Sequence, residues 1–115
     1  MKSIIFFLLF ASNLAYAGNQ AGTIQKLFIS GRDYPAPNQN PTHVNITGSY
    51  NAKPDCATSG YWALNSDTQQ GRAILSLLLT ASATAKKVSF LGTGDCSLRP
   101  DMETLFQVGI ENDIQ

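Results

Sequence analysis

Ser66–Lys87 reads SDTQQGRAILSLLLTASATAKK, with Cys56 ten residues before it and Cys96 nine residues after it. Ile74, Leu77, Leu78 and Ala81 recur at intervals of three and four, the period of one helical face. Leu75 and Leu79 form a second row beside them. A stripe that wide is too apolar for an ordinary surface helix, so the segment either plugs a core or meets a partner on its other side. Ser66, Asp67 and Thr68 are three candidate N-caps, and Gln69 completes a capping box with Ser66. The spacing predicts a helix over about 68–85, with Gly71 in its first turn and Lys86 and Lys87 at the end where the helix dipole favours cations.

Outward from this helix the chain is short of everything but strands. His43–Gly48, HVNITG, alternates cleanly: Val44 and Ile46 point inward, while His43, Asn45 and Thr47 line the outer face. Gly22–Ser30, GTIQKLFIS, alternates imperfectly and implies burial on both sides or a bulge that switches faces. Gly60–Asn65, GYWALN, is a third strand. Val88–Leu91 is a fourth and Leu105–Ile110 a fifth, the last with Phe106, Val108 and Ile110 on one face. Arg32–Pro41 holds three of the five prolines and is a loop containing Tyr34. Ser49–Ser59 is turn-rich, and Pro100–Glu103 suits a short helical turn.

The first seventeen residues read as an export signal: Lys2, the apolar run Ile4–Phe10, then Ala15-Tyr16-Ala17 as the small-x-small cleavage motif. That run falls far short of the roughly 20 residues that span a bilayer, and no later apolar segment reaches that length. Cleavage after Ala17 takes 17 of the 115 residues and leaves a single domain of 98, residues 18–115, at the periplasm or in the medium. A domain of this size buries only about 60–65% of its unfolded surface, so a covalent staple matters. In an oxidising compartment two cysteines read as one disulfide, Cys56–Cys96. Closing a loop of about 40 residues stabilises by roughly 4 kcal/mol in the chain-entropy model. A metal pair lacks further ligands, with one His and no Cys-x-x-Cys.

Without Lys2 the mature chain carries seven Lys and Arg against eight Asp and Glu, interspersed in sign. No basic field exists to hold phosphate backbones, so nucleic acid is excluded as an expected partner. Gly92-x-Gly94 lacks the third glycine and following helix of a dinucleotide site and reads as a tight turn delivering Cys96; no cofactor is expected. The Asn45-Ile46-Thr47 sequon is discounted in a chain whose signal and composition look bacterial.

Strand, strand, strand, helix, strand, strand in 98 residues is the order of a five-stranded OB-like, partly open barrel, whose helix joins strands three and four and caps one opening. An open α+β sheet with a helix across one face fits the same string. The run Cys56, Tyr61-Trp62, Leu77-Leu78-Leu79-x-Ala81 and Gly92-x-Gly94-x-Cys96 resembles a group of small exported, mostly uncharacterised bacterial proteins. In outline these are similar to the B subunits of bacterial toxins that carry five B subunits per A subunit, such as subtilase cytotoxin and typhoid toxin. The resemblance implies an OB-type barrel, a disulfide, and a ring of subunits that binds glycans or a toxin partner protein.

The residues themselves offer little for catalysis. His43 has no carboxylate neighbour that sequence guarantees, and no nucleophile-elbow pattern surrounds any Ser. Asp101 and Glu103 read more simply as capping or solvated charge than as a glycosidase pair. A non-enzymatic role is expected. Aromatic rings beside small polar groups suit sugars, which makes Tyr34, His43, Asn45, Thr47, Tyr50 and Tyr61 the candidate ligand-binding residues. Trp62 reads as core ahead of platform. If one helix row fills the barrel, Leu75 and Leu79 need another subunit and form the candidate homo-oligomer interface. The alternative role is a structural or inhibitory envelope protein with no sugar ligand.

Overall fold

The computed structural model describes residues 17–30 and 41–112. Their elements are β1 Asn19–Ile29, β2 Pro41–Ile46, β3 Trp62–Asn65, α1 Gln69–Thr84, β4 Lys87–Gly92 and β5 Glu103–Glu111, the order expected from the sequence. The strands hydrogen-bond in the order β1-β2-β3-β5-β4, and β4 returns to β1, so the sheet closes on itself as a ring. The open sheet is thereby set aside. All pairings are antiparallel except β3 with β5, a parallel seam of two rungs, Trp62 with Glu103 and Ala63 with Thr104.

Closure depends on β1 serving two neighbours. It pairs with β4 through Asn19–Thr23 and with β2 through Ile24–Ile29. Between Ile24 and Lys26 the register slips, so Ile24 and Leu27 both pack on the core while Phe28 stands half-exposed. This is the bulge that the imperfect alternation implied. A second slip, with Leu91 opposite Gln107 but Gly92 opposite Leu105, makes Phe106 the extra residue. Leu105 and Val108 are buried and Phe106 is 62% exposed, which corrects the expectation that Phe106 and Val108 share a face.

The helix joins the interior of the ring. Ile74, Leu78 and Ala81 belong to one cluster with Val44, Ile46, Trp62, Leu64, Val88, Phe90, Leu105 and Val108. A closed ring offers its interior only at its two ends, so a helix sharing that interior covers one of them. Leu77, expected inward, is 37% exposed, and Leu75, expected outward, is partly buried against the core. The buried face therefore runs through Gly71, Ile74, Leu78 and Ala81, rotated from the row read in the sequence. Thr68, and not Ser66, is the N-cap: its Oγ1 accepts from the Gly71 N–H at 2.9 Å. Ser66 is buried, with its hydroxyl 3.0 Å from that of Thr42. Gly71 is required because a Cβ there would fall on the Asn65 carbonyl oxygen at the end of β3. Beyond Thr84 the chain turns through Ala85, which takes the left-handed conformation at φ 56°, and the Lys86 N–H bonds back to the Ala81 carbonyl at 3.0 Å.

Trp62 is wholly buried, as expected of a strand Trp. Its indole N–H donates to Gln20 Oε1 at 2.8 Å, its ring stacks on Tyr50 at 4.6 Å, and Phe90 meets its edge at 5.6 Å. Gln20 donates in turn to the carbonyls of Ile46 and Gly48 at 3.1 and 2.9 Å. A polar group taken out of water costs free energy unless it is bonded, and here the indole and amide answer one another. Glu103, read in the sequence as capping or solvated charge, is instead fully buried at the head of β5, and residues 100–102 form a turn rather than a helix. Cys56 and Cys96 are bonded, with Cα atoms 6.2 Å apart. The bridge joins the two segments that lead into β3 and β5.

Candidate functional site

β1, β2 and the approach to β3 present three rings on the outer face of the sheet. Phe28 stands opposite His43 in the β1–β2 register, and His43 opposite Ala63 in the β2–β3 register. The Phe28 and His43 centroids lie 5.1 Å apart at 32°, those of His43 and Tyr61 5.5 Å apart at 72°, and those of Phe28 and Tyr61 6.2 Å apart. Phe28 is 47% exposed and its neighbour Ile29 55%. His43 and Tyr61 are half-buried. The three rings thus form a continuous apolar surface whose outermost member faces water.

Two polar atoms in this face are shielded from solvent and have no hydrogen-bond partner among the described residues, His43 Nδ1 and Asn45 Oδ1. They lie two residues apart on β2 and share the outer side of the pleat. Buried polar atoms are nearly always bonded, and a ligand hydroxyl would reach this pair only where the side chains covering it move aside. Burial lowers the His43 imidazole below its usual value of 6.5, the charge of Arg99 lowers it further, and Asp101 partly opposes both. Neutral imidazole offers one donor and one acceptor, whereas imidazolium offers only donors. Arg99 and Asp101 reach this region through the segment between β4 and β5, which is held to the approach of β3 by the Ser59 N–H on the Asp101 carbonyl at 3.1 Å.

The residues singled out in the sequence divide into those this face gathers and those it does not. His43, Asn45 and Tyr61 stand together on it. Thr47 is beyond the end of β2, where its hydroxyl accepts from the Thr23 N–H at 2.9 Å and lines a separate polar depression with Lys86, Lys87 and Glu111. Tyr50 is drawn inward, stacked on Trp62 with its hydroxyl on Glu103 Oε1 at 2.7 Å. Tyr34 lies outside the described residues. Phe28 was not singled out, because the bulge that turns it outward is a property of pairing and not of spacing.

A second concavity, of about 670 Å³, runs between α1 and β5, with Leu77 and Phe106 among its lining residues. Both are exposed, as is Leu79 at 49% on the helix. Among the described residues no group of three His, Cys, Asp or Glu side chains is placed to hold a metal ion, and no helix is long and apolar enough to cross a membrane. Comparison with known protein families, with curated proteins and with solved structures finds no match for the chain.

Proposed function

We propose that this chain is an exported, non-enzymatic binding module of the OB type that takes a glycan on the face formed by Phe28, His43 and Tyr61. The observation that carries the reading is the cluster of three outward rings, with two shielded polar atoms beside it, His43 Nδ1 and Asn45 Oδ1, that no described residue satisfies. Aromatic faces hold the C–H surface of a pyranose, and polar atoms uncovered by a small shift of the neighbouring side chains would orient its hydroxyls. The strand order, the helix between β3 and β4 and the lone parallel seam support an OB-type barrel, and OB barrels bind saccharides through their strand-two and strand-three surface. The disulfide supports an oxidising destination, periplasm or medium.

The test is a glycan array read with the mature protein, followed by titration of the best oligosaccharide into Phe28→Ala and Tyr61→Ala. Each substitution is expected to weaken binding by about fivefold to a hundredfold or more, the loss of roughly 1–3 kcal/mol typical of a ring in a binding surface, with the melting temperature little changed. Binding that survives both substitutions undiminished overturns the site. An array with no signal above background leaves the envelope reading, structural or inhibitory, in its place.

A second reading concerns assembly. Leu77 and Phe106 border the groove between α1 and β5, and exposed apolar groups on the rims of a groove favour a partner surface. A homo-oligomer, of the kind that the resemblance to five-fold toxin B subunits implies, would cover them together with Leu79. Light scattering on the mature protein decides: a monodisperse monomer at high concentration removes the oligomer.

A further inference from the structure

Among the described residues Glu103 is the one carboxylate the binding reading does not use and solvent does not reach, with 0% exposure. The Gly18 N–H donates to its Oε2 at 2.9 Å, the Gly94 N–H to the same oxygen at 2.8 Å, and the Tyr50 hydroxyl to Oε1 at 2.7 Å. Three donors converge on it, which is the environment of an ionised, acceptor-only carboxylate. None of the three carries a charge. A buried carboxylate held only by neutral donors is costly compared with one that meets a cation.

Gly18 is the residue that follows Ala15-Tyr16-Ala17, the cleavage motif. It is buried, its carbonyl accepts from the Gly92 N–H at 2.9 Å, and Asn19 exchanges main-chain bonds with Asn51 at 2.9 and 2.8 Å. A Cβ at position 18 would fall on Glu103 Oε1 and lie 2.8 Å from Tyr50 Cε1, so any side chain there would push the carboxylate or the ring aside. The nitrogen aimed at the buried carboxylate is thus the nitrogen that leader removal would free.

We propose that cleavage of the Ala17–Gly18 bond places the new α-ammonium of Gly18 against Glu103 as an internal ion pair, so that removal of the leader locks the ring in its mature form. In the reaction, catalysed by a leader peptidase, water adds across the amide: its hydroxyl goes to the Ala17 carbonyl, which leaves with the leader as a carboxylate. The Gly18 nitrogen gains the remaining hydrogen and takes one more proton from solvent. Three neutral donors on Glu103 become two neutral donors and one cation, with no heavy atom needing to move. The inference rests on the export reading of the leader and is independent of what the Phe28 face binds.

The titratable groups around the pair, among the described residues, are few. Burial, the bond to Glu103 and its charge together push the Tyr50 phenol far above its usual range, so it stays a donor. Lys53 lies 5.8 Å from the Tyr50 ring centroid. Asp95, in the turn beside Gly94, is exposed and bonds Thr93 and Ser97. β1, β3 and β4 bring Gln20, Trp62 and Gly92, which do not titrate.

Three oxidised proteins test the proposal: residues 18–115 with a free amine, the same chain acetylated at Gly18, and the chain beginning at Ala17. At pH 6.5 the free-amine form is expected to melt several degrees above the other two. Pairing with a carboxylate raises the amine's folded-state pKa, so the gap is fully present below the unfolded value of about 7.7–8.0 and closes as pH rises through the folded one. Acylation of the Gly18 amine should be at least about tenfold slower in the folded protein than in denaturant. In Glu103→Gln the gap between free and acetylated chains should vanish; if that variant does not fold, the acetylated comparison and the acylation rate decide alone. Equal melting of the free and acetylated chains, acylation at the denatured rate, or an exported product whose mass shows a cut elsewhere than after Ala17 each overturns the proposal. Failure of the glycan reading would show in the sugar titrations and in none of these.

Discussion

At the scale of single residues, two tyrosines both read as candidate ligand contacts in the sequence take different places in the fold. Tyr61, in the GYWALN strand, edges the outer aromatic face, whereas Tyr50, in a polar stretch, serves the interior through Trp62 and Glu103. Tyr50→Phe keeps the stacking and removes only the hydroxyl, leaving a buried carboxylate oxygen short of a donor. It is expected to cost about 1–3 kcal/mol in urea unfolding, while leaving any ligand affinity of the outer face unchanged. His43 carries a second prediction. Because the chain has a single His, its proton titration is read without ambiguity by NMR, and its midpoint should fall below 6.5. The folded pKa is depressed, so the unfolded chain takes up the proton first. The imidazole's contribution to stability is therefore full above about 6.5 and declines as pH falls below that value. A bound glycan whose hydroxyl donates to the neutral Nδ1 should push the midpoint lower still.

At the scale of elements, the helix and β2 were legible because their signal is local. Periodicities of 3.6 and 2 survive any tertiary context, and β2 keeps Val44 and Ile46 buried as its alternation required. What failed was phase. The bulges at Gln25 and Phe106 move later residues to the other face, and on the helix the buried face runs through Gly71, Ile74, Leu78 and Ala81 with Leu77 exposed beside it. Glu103 was illegible for another reason. Two of its partners lie 85 and 53 residues away, and no window along the chain contains them. The helix end yields a prediction of its own. Ala85 holds a left-handed conformation that glycine adopts without steric cost, so Ala85→Gly should raise stability by about 0.5–1 kcal/mol in thermal or urea unfolding.

At the scale of the whole molecule, ring closure makes every strand interior except at one join. Four of the five strand interfaces are antiparallel, and the fifth, β3 with β5, has two rungs. The disulfide spans 40 residues, so Cys56→Ser with Cys96→Ser should lower stability by up to roughly 4 kcal/mol, measured by urea unfolding against the oxidised protein. Where that loss falls should be uneven. Cys56 and Cys96 sit upstream of the two strands whose mutual bonding is sparsest, and the helix and β4 form the detour between them. A thiol reagent would therefore act on a single joint. After reduction, deuterium should enter the amides of residues 62–65 and 103–105 before those shared by β1 with β4, and the cylinder would come apart by unrolling from that edge, not by melting throughout.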